Sequence, residues 1–283
     1  MTNTRDDLLT KISEIDTNHT EIEKLPKKVQ DSFGNLVAAV RVAGHTASGA
    51  SPFGHLGVEE VVDHIWQNRD KYHRAVEDIL AKLGELVSGL AVPVTFVDYA
   101  NEWRNIGGEI IHAGNKVNQT SLRGEWDGIA ATRYWDARIL QEKAVQSMPK
   151  LCEQVALSLE SVAVATLDLY ISIAKSTADL VSSTLSSIST IASKGPLGVT
   201  ETDELVKIAL AAQTFIINTI SSVATTAQKN MIEGNRIAQA TSVQDGIPNN
   251  KWPQAVTGEA RYDDGTVTDG TNKWSVRSDR TGS

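Results

Sequence analysis

Residues 123–148 read RGEWDGIAATRYWDARILQEKAVQSM. Gly124 and Gly128 bracket Trp126, and a helical pattern begins at Ile129. Glycine tolerates the backbone angles needed where antiparallel helices meet, and a tryptophan buries a large surface at the open end of such a hairpin. The stretch therefore predicts helix, turn, helix, with the turn at Trp126-Asp127-Gly128.

Upstream of the turn, Phe96, Tyr99, Trp103, Ile106, Ile110, Ala113 and Val117 step by three and four. That spacing predicts a narrow seam of the kind one helix presents to another inside a bundle. Gly107, Gly108 and Gly114 weaken the helix locally but permit close approach. Before it, Val62, Ile65, Val76, Ile79, Leu83 and Leu90 mark a helix from about Val58 to Leu90, ended by Ala91-Val92-Pro93. The first forty-three residues read as two helical arms. Leu8, Ile12, Ile15, Ile22 and Leu25 form one face, Val29, Phe33, Leu36 and Val40 the next, and Pro26 interrupts them by removing an N–H and crowding the preceding turn. Residues 44–57, rich in Gly, Ser and Pro, predict a loop.

Downstream, Val155, Leu159, Val162, Leu169, Ile173 and Leu180 continue the helical seam, with a kink expected near Met148 from Pro149. Residues 194–200 predict a second turn, after which Thr200 with Asp203, or Thr202 alone, caps a helix running to about Val243. A 44-residue helix spans roughly 65 Å. Residues 244–283 carry five glycines, two prolines and only nine hydrophobic residues, which predicts a disordered tail. The expected fold is all-α: an elongated helical bundle of long antiparallel hairpins with that tail attached. It divides into N-terminal arms (1–90), a bundle (91–243) and the tail (244–283).

Composition narrows the function. The chain has 283 residues, 41% hydrophobic and 22% charged, with a net charge of −8. That is enough apolar material for a real core, and the wrong sign for a general nucleic-acid binder. The lone Cys152 allows neither an intrachain disulfide nor a cysteine zinc site, and the charged start has no signal-peptide pattern. His19, His45, His55, His64, His73 and His112 lack metal-ligand spacing, and no nucleophile or phosphate-loop motif occurs. Glu59, Glu60 and Asp63 open a helix, where acids suit the dipole. No enzyme chemistry, metal or cofactor is expected.

The stretch from Pro93 to Leu169 resembles the WXG family of type VII (ESX) secretion substrates: a helix, a Trp-x-Gly turn at Trp126 and Gly128, then Ala130, Ala131 and Tyr134 opening a second helix. The further hairpin is similar to that of the longer PPE-type members, and the resemblance covers roughly residues 93–243. It implies a non-enzymatic substrate or export partner that leaves the cell without a signal peptide, its turn forming part of the export signal. It further implies a helical heterodimer partner, or a fused equivalent within residues 4–90, and a cytosolic chaperone facing Leu197 and Val199 at the distal turn. Family export signals include Tyr-x-x-x-Asp/Glu, and none of Tyr72, Tyr99, Tyr134, Tyr170 and Tyr262 begins one. Either a separate partner supplies that signal, or the chain stays cytoplasmic.

A second feature points elsewhere. Between Ser161 and Ser193 only Asp168, Lys175 and Asp179 are charged, and from Ile208 to Gln228 nothing is. Such arms pack inside the bundle, pack against other copies as a homo-oligomer, or enter a membrane, with Ile208, Ile216 and Ile220 on the face concerned. Residues 208–228 have the length of a span but hold too many hydroxyls and amides for a constitutive lipid-facing helix. The competing function is therefore a self-assembling or pore-forming helical protein.

Overall fold

The computed structural model describes residues 4–46, 57–119, 124, 126–242, 245–247 and 275–276. The chain is all-α, with long helices α1 (Thr4–Thr46), α2 (Val58–Val87), α3 (Val92–Gln119), α4 (Ile129–Lys194) and α5 (Val199–Ser242). The other regular pieces among the described residues are a 3₁₀ turn at Gly195–Gly198 and two short strands, β1 (Trp126–Asp127) and β2 (Ser275–Val276), which pair antiparallel. Most of residues 244–283, and of the loop expected at 44–57, lies outside the described residues.

The chain divides into two compact units that cut across the segments 1–90 and 91–243. The first combines Met1–Thr95 with Val162–Gln228, and the second combines Phe96–Ser161 with Lys229–Ser283.

Seven-residue series build the first unit. Leu8, Ile15, Ile22 and Val29 on α1, and Ile65, Tyr72 and Ile79 on α2, are fully buried. So are Ala163, Thr177 and Thr184 on α4, and Thr202, Ala209 and Ile216 on α5. A seven-residue period keeps one stripe of a helix facing its neighbour, which is the packing of a bundle. The buried hydroxyls are satisfied across helices. Tyr72 Oη lies 3.1 Å from Thr184 Oγ1, Asn18 Nδ2 donates to Thr177 Oγ1 at 2.9 Å, and Asn68 Nδ2 donates to Thr202 Oγ1 at 2.9 Å. Burial pushes the Tyr72 phenol up to about 12, against the smaller opposing effect of its Thr184 bond.

Pro26 does not break α1, which is one continuous helix through it. Its neighbours Ile22, Leu25 and Val29 are fully buried, and packing along that face outweighs the lost backbone bond. His73 Nε2 also lies 3.1 Å from the Pro26 carbonyl oxygen, tying α2 to α1 there. Pro149 likewise lies within α4. At the start of α5, Thr202 is an interior helical residue whose hydroxyl donates to Val199 O at 2.7 Å, so it does not act as the cap.

Candidate functional site

The second unit contains the Trp-x-Gly turn. Gly124 has φ +80° and Gly128 φ +109°, conformations that side chains resist, so glycine is required where the chain leaves α3 and enters α4. Thr132 N–H donates to Gly128 O at 3.0 Å, starting α4 at the turn. The backbone of Trp126 and Asp127 pairs with Val276 and Ser275. The side chains of Trp126 and Ala130 lie outside the described residues.

Arg138 fastens the hairpin. Only 4% exposed, its guanidinium donates to Val117 O near the end of α3 at 2.8 Å, to Tyr134 Oη at 3.1 Å and to Glu142 Oε1 at 3.0 Å. The cation thus meets the carbonyl end of α3, where the helix dipole favours it. It also lies 5.7 Å from the centre of the Trp135 ring, which packs edge-on against Tyr134. Sequence reading missed Arg138, because its partner on α3 is 21 residues away and no local spacing announces it.

Helices α3 and α4 approach through small residues. Ala100, Gly107 and Gly114, seven apart, are buried along with Val94 and Val97. A Cβ added at Gly107 would stand 3.2 Å from Cys152 Cβ, and one at Gly114 would run into the Val145 side chain. Inward placement of this small series turns the larger residues out. Tyr99 is 53%, Ile106 42% and Val117 40% exposed, while Phe96, Trp103 and Ile110 are half-buried and Ala113 is exposed. The seam expected to pack inside the bundle is therefore largely on the surface. Its period is helical, but the glycines set which face turns inward.

Farther along α3, Arg104 bridges to α4, donating to Glu160 Oε2 at 2.8 Å and to Glu153 Oε2 at 3.2 Å. The bond from Arg104 holds the Glu160 carboxyl below its usual value. Ser147 Oγ donates to Asp245 O at 2.9 Å, and Gly246, at φ +83°, packs so closely on α4 that an added Cβ would lie 2.6 Å from Leu140 O. The first described residues of the predicted tail are thus seated on α4.

In the first unit Leu197, at the α4–α5 turn, is 67% exposed, and Val199 is half-buried. Ile216 is fully buried, and Ile208 and Ile220 are half-buried, so the outward face of α5 consists of other residues, among them Leu210 and Phe215. His64 Nε2 and Asn68 Nδ2 both lie within 3.0 Å of Asp203 Oδ1, but the nearby Thr202 hydroxyl is already committed to Val199 O and Asn68. That cluster is a clasp between α2 and α5. Burial pushes the Cys152 thiol up, away from the reactive thiolate. His112 is exposed, and the side chains of His45 and His55 lie outside the described residues. Among the described residues, no group of three or more His, Cys, Asp and Glu could hold a metal ion. Two stretches, Val58–Gln119 and Tyr134–Ser221, contain windows apolar and charge-poor enough to cross a membrane by length and composition.

No protein-family model matches the chain, and comparisons with curated proteins and with solved structures return no match.

Proposed function

We propose that the chain is a non-enzymatic substrate or export partner of a type VII (ESX-like) secretion system, leaving the cell by a signal-peptide-independent route and acting through helical protein–protein interfaces. The observation that carries this reading is the outward seam of α3 beside the Trp-x-Gly turn. Phe96, Tyr99, Trp103, Ile106, Ile110 and Val117 keep coiled-coil spacing and are exposed or half-buried, a pattern that suits a partner helix. Glu102 and Glu109 flank the seam and are exposed, so the fitting partner carries Lys or Arg beside its apolar stripe. Such a partner is also the natural source of the Tyr-x-x-x-Asp/Glu signal absent here. At the α4–α5 turn the exposed Leu197 offers a chaperone an apolar contact, with Val199 beside it.

The test is export from the producing cells. W126A and G128A are expected to remove the protein from the culture medium while cytosolic chain stays helical by circular dichroism. Undiminished export of both variants would refute the reading. The runner-up, a self-assembling or membrane-active protein, is favoured by the exposed Val164, Ile171 and Leu185 on a charge-poor arm. It predicts that W126A and G128A change nothing outside the cell.

A further inference from the structure

Within the first unit, α4 carries a second seven-residue series beside its buried one. Ala163, Tyr170, Thr177, Thr184 and Ile191 face the core, whereas Val164, Ile171, Ala178, Leu185 and Ala192 follow one residue later on the solvent side. Val164, Ile171 and Leu185 are 46%, 43% and 38% exposed. Alongside them runs a parallel exposed series, Asp168, Lys175, Ser182 and Ser189. Series with strict seven-residue period stay on one stripe for many turns, so this outer surface is continuous from Val164 to Ala192. That neighbouring series holds two charges, Asp168 and Lys175, with the exposed Asp179 at its rim, and none of the three has an ion-pair partner among the described residues.

Asp168 and Lys175 are opposite in sign, share one stripe and stand seven residues, about 10.5 Å, apart. A two-fold axis crossing α4 between Ile171 and Ser172 carries position 168 onto 175 and 175 onto 168. It sets Asp168 of each copy against Lys175 of the other, brings Ile171 level with Ser172 and so within one residue of its own counterpart, and sets Val164 level with Asp179 at the rim, one residue from Ala178. Parallel pairing would instead oppose aspartate to aspartate and lysine to lysine. A lipid surface would accept the aliphatic stripe but offers nothing to neutralise the charges beside it. We infer that this face of α4 is the interface of an antiparallel homodimer, closed by two reciprocal Asp168–Lys175 pairs around an Ile171 contact. The inference stands independently of export and of the Trp-x-Gly turn.

The test is light scattering of the full chain after size exclusion, over roughly 1–100 μM, a range in which interfaces of this kind dissociate. The wild type is expected to dimerise. D168K and K175D should each weaken the dimer at least about tenfold by creating like-charge pairs, and D168K/K175D should restore it to within about threefold. Both side chains are exposed, so helical content by circular dichroism should be unchanged in all three variants. I171C should form a disulfide-linked dimer on mild oxidation. A wild type that is monomeric throughout, a dimer indifferent to both single swaps, or a double swap that worsens the loss would each overturn the proposal. So would a monomer that instead floats with phosphatidylcholine vesicles.

Discussion

The first unit and the α3 crossing of the second bury different kinds of residue. In the first, the large side chains go in: Leu8, Ile15, Phe33, Ile65, Tyr72 and Ile79 are fully buried. In the second, small ones do, with Ala100, Gly107 and Gly114 against α4 and Tyr99, Ile106 and Val117 turned to solvent. Both units use seven-residue spacing, so periodicity alone says that a face meets a helix without saying whose. A glycine series at the crossing decides it, because only there can two backbones approach closely. The first unit meets its own helices along its large residues. The second turns the large residues of α3 to solvent.

The widest separation between the units should come from paired truncations. F33A empties a fully buried site in the first unit and should cost about 3–5 kcal/mol in a denaturant melt. Y99S, on the exposed seam, should stay within about 0.5 kcal/mol. A large cost for Y99S would mean that the seam is covered within the monomer, and the contrast would fail.

A smaller effect tests what holds the second unit together. R138M keeps most of the side-chain volume but removes the guanidinium that donates to Val117 O, Tyr134 Oη and Glu142, and should cost about 2–3 kcal/mol by the same melt. Hydrogen exchange near Val117 should quicken with it. If R138M melts like wild type, the glycine crossing alone fixes the hairpin.

The smallest concerns acid. The Glu160 carboxyl is held below its usual 4.5 by Arg104, so its contribution is complete above that value and is lost as pH falls through the lower folded-state value. The pair is about one-third exposed, so solvent screening limits it to about 0.5–1 kcal/mol. E160Q should therefore be less stable than wild type at pH 7, with the gap closing as pH falls below 4.5 and through the lowered folded-state value. A gap that persists into acid would assign the effect to packing.

Much of the fold was legible before any coordinates. Helices α2 and α5 and the turns at 124–128 and 194–200 lie close to where apolar spacing, glycine and proline put them. The misses share a cause. At Pro26 a local breaker lost to tertiary burial of Ile22, Leu25 and Val29, and on α3 the apolar seam lost the interior to glycines whose value depends on what approaches them. The many hydroxyls of α4 proved partly internal: Thr177 and Thr184 are buried against Asn18 and Tyr72, more than a hundred residues away in sequence. Arg138 was unreadable for the same reason, since a cation gains its meaning from the carbonyl it reaches.

The central claim, that the α3 seam is a docking surface for a partner helix, is tested most directly by placing a photo-crosslinking amino acid at Ile106 and, separately, at the exposed Asn105, about 100° round the same helix and off the seam. In the producing cells, position 106 should yield one discrete adduct with a small helical protein, and position 105 should not. No adduct at 106, or the same adducts at both positions, would contradict the account.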